Sequence, residues 1–261
     1  MCRGNVRCGR GKVSLWLDGA FWGSSIRQNF VSEIQWMRRA VFQHMLPSFP
    51  DPEREADKAG TEAWETAMSQ PYDGWEGPGK YAEWAEEKEL ETYEGVIGMR
   101  QSTVNLGTAM LWHLLEQQML FFHMRQVLKI PEEREVRETP KTRKKLFSLE
   151  EFHKRLNSGG CSMESLPSWS KVDELRLVAN VVKHGSGKSL DDLCEIRADM
   201  LRRPGEEPLE PRWSNRSWVD RPANGEDLYV TDQDLTTYFD AAVHLWLEFS
   251  EAIEAHSARR Q

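Results

Sequence analysis

Apolar residues recur along this chain at helical spacing, and no segment series alternates with the period of two that half-buried strands require. Residues 32–46 carry Ile34, Met37, Val41, Phe42 and Met45 on one helical face, and Pro47 and Pro50 stop the pattern. Asp51 before Pro52 is a cap and first-turn pair, which predicts a mostly solvated helix over 51–69. Residues 81–90 read as an acidic amphipathic segment with Trp84 and Leu90 inward, and 92–128 as the longest helix. The latter is apolar nearly all round and therefore central. Ser148 with Glu151 forms a capping box for a short helix over 147–156, closed near Gly159-Gly160. Leu175, Val178, Ala179 and Val182 give residues 171–184 a buried stripe. Ser189 with Asp192 opens a helix over 190–201, and Thr231 or Asp232 caps a last one over 232–256.

Between these lie the segments without clear period. Residues 13–25 are aromatic but interrupted by glycine and read as a loop or short strand; 72–80 read as a turn-rich loop, 131–145 as a charged solvated connector, 228–230 as a strand or brace, and 204–224 as a proline-rich excursion. Gly95, Gly98 and Gly107, within the longest helix, are expected to mark close contacts or a kink. The fold class that follows is all-α: a bundle of four or five core helices with peripheral loops and short helices. Residues 1–30 are expected to form a basic N-terminal arm and irregular aromatic segment, and 31–261 a single helical domain.

Composition narrows the partners. The chain has 261 residues, of which 39% are hydrophobic, and a formal net charge of −8, which argues against a general nucleic-acid coat or membrane-surface binder and leaves room only for a local basic site. No run is long and apolar enough for a membrane span, and the first residues lack a signal-peptide core, which suggests a cytoplasmic protein. Cys2, Cys8, Cys161 and Cys194 have neither CxxC pairing nor zinc spacing. His113 and Glu116 share a face but lack the second Glu-x-x-His copy that a di-metal bundle needs, so no metal or other cofactor is expected. Trp16, Trp22, Trp213 and Trp218 stand in irregular segments, where packing onto the bundle outweighs a role as partner anchors.

The most specific polar pattern is Arg176-x3-Asn180-x2-Lys183-His184, followed by Gly185-Ser-Gly-Lys188-Ser189. The Gly-Ser-Gly-Lys-Ser run resembles the end of a phosphate-binding loop, but Val182 replaces its first glycine and a helix precedes it. On a straight helix Arg176, Asn180 and His184 form a slanted polar row, with roughly 12 Å between its ends. This row resembles the motif of the HEPN superfamily (higher eukaryote and prokaryote nucleotide-binding domains). Those are helical bundles in which a late core helix carries Arg-x(4–6)-His, often with a polar residue after the arginine. Asn180 and His184 match, whereas Ala179 stands at the usual arginine position and seven residues separate Arg176 from His184.

The resemblance implies a metal-independent endoribonuclease, a toxin or antiphage-defence effector, acting at a homodimer interface. An antitoxin or another defence-system protein is then a further partner. On this reading His184, Arg176 and Asn180 are catalytic. His184 acts as general base or acid on the ribose 2′-OH or the leaving 5′-oxygen, and Arg176, with Lys183 or Lys188 as phosphate-binding cation, stabilises the pentacovalent phosphate. An antiparallel pairing of two such helices about a two-fold axis near Asn180 would set position 176 of one chain opposite 184 of the other. The alternative is a non-catalytic helical binding or scaffold subunit of a defence or toxin–antitoxin system. There Lys183 and His184 complement the helix dipole, and Arg176 pairs with a nearby carboxylate such as Asp173 or Glu174.

Overall fold

A computed structural model describes residues 17–69, 78–185, 187–202 and 228–259. Among them no strand occurs, and ten α-helical segments follow one another: α1 (Gly19–Ser25), α2 (Val31–Ala40), α3 (Pro52–Ser69), α4 (Pro78–Phe122), α5 (Ile130–Glu138), α6 (Pro140–Leu146), α7 (Leu149–Gly159), α8 (Trp169–His184), α9 (Lys188–Ile196) and α10 (Asp232–Ala258). The all-α class expected from the periodicity is therefore observed. Wide π-type turns at Ile26–Phe30, Val41–Met45 and His123–Val127 extend α1, α2 and α4, and short 3-10 turns cover Leu46–Ser48 and Ala198–Leu201. The basic arm over 1–12, the excursion over 204–224, most of the 72–80 loop, and Trp16, Trp213 and Trp218 lie outside the described residues.

The chain forms two compact units, and α2, α4, α8 and α10 each contribute residues to both. In the first unit (described residues 17–35, 112–173 and 238–259) the core is aromatic. Phe122 packs edge-on against Trp22 at 4.8 Å and Phe249 at 5.4 Å, and Phe30 against Trp246 at 4.8 Å. Gln118, 3% exposed, uses its whole amide inside this core. Its Oε1 accepts from Trp246 Nε1 at 2.7 Å, while its Nε2 donates to Phe30 O at 3.1 Å and Glu33 at 2.9 Å, so the buried group is fully satisfied.

Residues 19–25, expected as loop or strand, are helical. Asp18 caps α1 by accepting from Phe21 N at 3.1 Å, and the glycines that suggested a breaker serve close packing instead. A Cβ on Gly19 would stand 2.7 Å from Ile253 O and 2.9 Å from Glu254 Cα, both backbone atoms of α10 that cannot step aside. Gly19→Ala is accordingly expected to destabilise the protein by about 1–3 kcal/mol through overpacking, measured as a lower urea midpoint with an unchanged slope.

The charged stretch expected as a connector is also ordered, as α5 and α6. Glu132 accepts from Lys129 N at 2.9 Å, Pro131 and Pro140 sit in first turns, and Val136 is buried. Arg155 of α7 clamps Glu132 with two bonds of 2.9 and 3.0 Å and holds Glu151 at 2.8 Å. Ser148 caps α7 as its sequence suggested, and Gly160 closes it at φ 80°.

In the second unit (described residues 36–69, 78–111, 174–185, 187–202 and 228–237), α3 presents a stripe of small residues, Ala56, Gly60, Ala63 and Ala67. A Cβ on Gly60 would lie 3.2 Å from Glu89 and 3.5 Å from Ala85 O, so α3 and α4 approach closely there. Trp84 and Leu90, expected inward, are 36% and 59% exposed. Gly95 and Gly98 face open space, contrary to the close contact expected of them, whereas Gly107 lies near Leu235 and Val41. Residues 228–230 form a brace without strand pairing. Leu228 O and Val230 O accept from Asn105 at 2.7 Å and Gln101 at 2.9 Å, and Tyr229 N donates to Met200 O at 2.7 Å. Thr231 and Asp234 then cap α10 reciprocally, at 3.0 and 3.1 Å.

Candidate functional site

Helix α8 buries Leu175, Val178 and Ala179 completely and leaves the predicted polar row at the margin of that apolar stripe. Arg176 and Asn180 are half-buried; Lys183 and His184 are exposed in the last turn. Gly185, at φ 68°, ends the helix, since its left-handed backbone is costly for a residue with a Cβ. Gly187, at φ 136°, starts α9, whose first residue Lys188 is exposed. The structure thus places Lys183, His184 and Lys188 around one solvent-facing turn.

One local expectation changes. Ser189 does not cap α9. Its Oγ accepts from Asn180 Nδ2 at 3.4 Å, so Asn180 ties the row to the following helix. Glu174 accepts from Arg197 at 2.7 Å. Arg197 also bonds Asp199 at 2.8 Å and Asp234 at 2.9 Å, so it joins α8, the turn after α9 and the start of α10. These carboxylates hold the Arg197 guanidinium far above its ordinary range, with the Asp199 bond the largest contribution. Reciprocally, the Asp199 carboxyl lies below the usual carboxylate range. This clamp holds α8 at Glu174, six residues before Asn180.

Arg176 and His184 are eight residues apart, roughly 12 Å along a helix axis. Ala179, at the position where the resembled motif has arginine, is fully buried and offers no cation. Among the described residues no group of three His, Cys, Asp or Glu side chains converges as a metal site. His113 meets Glu116 at 3.7 Å as a surface pair.

A second arginine–histidine pair was missed. Arg39-x4-His44 has the spacing of the resembled motif, and both residues are exposed, with the Arg39 guanidinium 3.9 Å over Trp36. Five positions lie about 140° apart around an α-helix; the wide turn over Val41–Met45 reduces that angle. The spacing was legible, but the segment read as a core helix and its polar positions went unweighed.

Two open grooves have other linings. One, of about 560 Å³, lies between α3 and α4 in the second unit and is acidic, with Glu53, Asp57, Glu86 and Glu89. The other, of about 790 Å³, belongs to the first unit and is lined by Phe21, Trp22, Phe30 and Phe121 among others. None of the row residues lines either groove.

His123 is one of two histidines whose pKa burial lowers, the other being His153. The His123 ring is fully buried, stacks on Phe147 at 6.4 Å, and has Nε2 2.7 Å from Leu146 O. A carbonyl only accepts, so Nε2 bears the hydrogen and the neutral ring leaves Nδ1 bare, without a partner. Burial lowers its pKa; Arg155 adds to this, whereas the Leu146 bond, Glu151 and Glu132 oppose it. A folded-state pKa below the unfolded one means that the unfolded chain binds the proton first. His123 therefore stabilises fully above about pH 6.5 and progressively less as pH falls below it. Urea unfolding at pH 7.5 and 5.5 is expected to show this loss, and His123→Gln a flatter dependence.

No family model matches the chain, and neither a curated protein nor a solved structure proved similar to it.

Proposed function

We propose that the chain is a HEPN-like, metal-independent endoribonuclease whose site is completed by a second copy. The observation that carries this reading is the solvent-facing turn at the end of α8, with Lys183, His184 and Lys188 exposed and Arg176 and Asn180 half-exposed on the same helix. Pairing two such helices antiparallel near Asn180 brings Arg176 of one copy beside His184 of the other, which removes the 12 Å separation. His184 then takes the proton of the ribose 2′-OH, the 2′-oxygen attacks phosphorus, and the bond to the 5′-oxygen breaks. The departing oxygen receives a proton from water, and Arg176 with Lys188 offsets the charge gathering on phosphorus. The products are a 2′,3′-cyclic phosphate and a 5′-hydroxyl.

A second reading is a non-catalytic RNA- or protein-binding subunit of a defence or toxin–antitoxin system. Ala179 at the arginine position and the Asn180–Ser189 bond favour it. Purified protein incubated with single-stranded RNA in EDTA separates the two. Fragments ending in cyclic phosphate, lost in His184→Ala and kept in His44→Ala, support the enzyme; RNA bound and left intact supports the subunit; dependence on divalent ions or on His44 overturns the α8 site.

A further inference from the structure

The 790 Å³ groove of the first unit has a volume within the range of ligand clefts, roughly 300–1,000 Å³. Two of its phenyl rings are open to solvent, Phe21 at 61% and Phe121 at 49%, which is unusual for aromatic side chains beside an intact core. Both pack edge-on against Trp22, at 5.4 and 6.2 Å, and Phe121 also meets Phe30 at 6.2 Å, so each ring is held in place while much of it stays open to solvent. The lining also includes Asn29, Glu33 and Gln117, hydrogen-bonding groups that suit a planar polar ring better than an acyl chain.

Arg125 is the cation that lines this groove, and a relay of contacts within the first unit leads from it to α6. Arg125, 5.8 Å over the Phe121 ring, reaches Glu133 of α5 at 3.4 Å. Glu133 holds Arg137 at 2.8 Å, and Arg137 O accepts from Arg143 of α6 at 3.3 Å. Helix α6, PKTRKKL, has no acidic residue. Its Lys141, Lys144 and Lys145 are exposed and enter no ion pair with a described residue, whereas Arg125, Arg137 and Arg155 of the same unit are paired. In a chain of net charge −8, a helix of unpaired lysines fits an anionic partner.

We propose that this groove and α6 form a face for single-stranded RNA: Phe21 and Phe121 stack an unpaired base, Glu33 accepts from its N–H groups, and Arg125 with the α6 lysines meets the flanking phosphates. Open aromatic faces beside free cations are the two elements by which proteins hold single strands. The choice of RNA over DNA rests on the ribonuclease reading; the stacking and the charge do not.

The test is fluorescence anisotropy of the full chain with a labelled, fully 2′-O-methylated RNA 12-mer, which lacks the 2′-OH needed for cleavage. Phe21→Ala and Phe121→Ala are each expected to weaken binding about tenfold, with circular-dichroism melting unchanged for the more exposed Phe21 variant. The same RNA as a duplex is expected to bind at least tenfold less tightly. Converting Lys141, Lys144 and Lys145 together to Gln is expected to reduce the slope of log affinity against log salt by about 2, from three phosphates at about 0.7 each. Unchanged affinity in Phe21→Ala, or equal affinity for strand and duplex, overturns the proposal, as does tight binding of an apolar peptide with none of the RNA. A chain that binds this RNA through Phe21 but never cuts ordinary RNA contradicts the nuclease reading alone. One that cuts RNA but ignores Phe21→Ala contradicts this face alone.

Discussion

Arg197→Ala is expected to destabilise the protein by about 3 kcal/mol, the lower end of the range for breaking a buried ion pair by removing one partner. Arg197 is 18% exposed in its side chain and serves three carboxylates, of which Glu174 is 9% and Asp234 18% exposed. Without the guanidinium, Glu174 and Asp234 remain largely desolvated with like charge nearby, and that penalty outweighs the lost attraction itself. Asp199, 66% exposed, returns to water at little cost, which keeps the effect from the upper end. Arg197→Lys is expected to recover only part, because an ammonium lacks the planar fork that spans the carboxylates. By contrast, Lys88→Ala, which breaks the surface Lys88–Glu91 pair with side chains 42% and 67% exposed, is expected to cost nothing measurable. Urea unfolding of the three variants measures the series; equal midpoints for Arg197→Ala and wild type would remove the clamp from the account of α8.

His184→Ala is expected to reduce metal-free RNA cleavage at least a hundredfold, since a positioned acid or base contributes about 10²- to 10⁴-fold. Its exposure on the last turn means that folding should not suffer, and Lys183 beside it retains the favourable charge at the helix C-terminus. Activity and stability should therefore separate: a cleavage defect with an unchanged melting transition. An equal loss in both would assign His184 a structural role.

Much of the helical order was readable because its signals are local. Asp51–Pro52, Ser148 with Glu151, Gly160, and Thr231, one of two caps the sequence offered, each mark an end with a backbone bond that the structure contains. What escaped depended on partners distant in sequence. Gly19 reads as a breaker until α10 is placed within 3 Å of where a Cβ on it would stand, and the charged 131–145 stretch reads as linker until Val136 is buried and Arg155 reaches Glu132. Trp84 and Leu90 obeyed a helical period yet face solvent, because period fixes which residues share a face and not what covers it.

The same distinction governs the candidate site. The four-residue spacing of Arg176, Asn180 and His184 was visible in the chain; the half-burial of the first two and the Asn180–Ser189 bond were not. The aromatic groove was illegible, since its walls come from segments about ninety residues apart, such as Phe21 and Phe121. Its signal lies in exposure, a property that no spacing encodes.

The decisive measurement is cleavage by a mixture of two inactive copies, Arg176→Ala and His184→Ala. In a two-fold pair each site takes Arg176 from one copy and His184 from the other, so a mixed pair rebuilds one intact site of two. With half the pairs mixed, equal amounts of the variants should regain about a quarter of wild-type activity, in EDTA and with cyclic-phosphate products. No regain from variants that are folded and dimeric would contradict a site shared between copies.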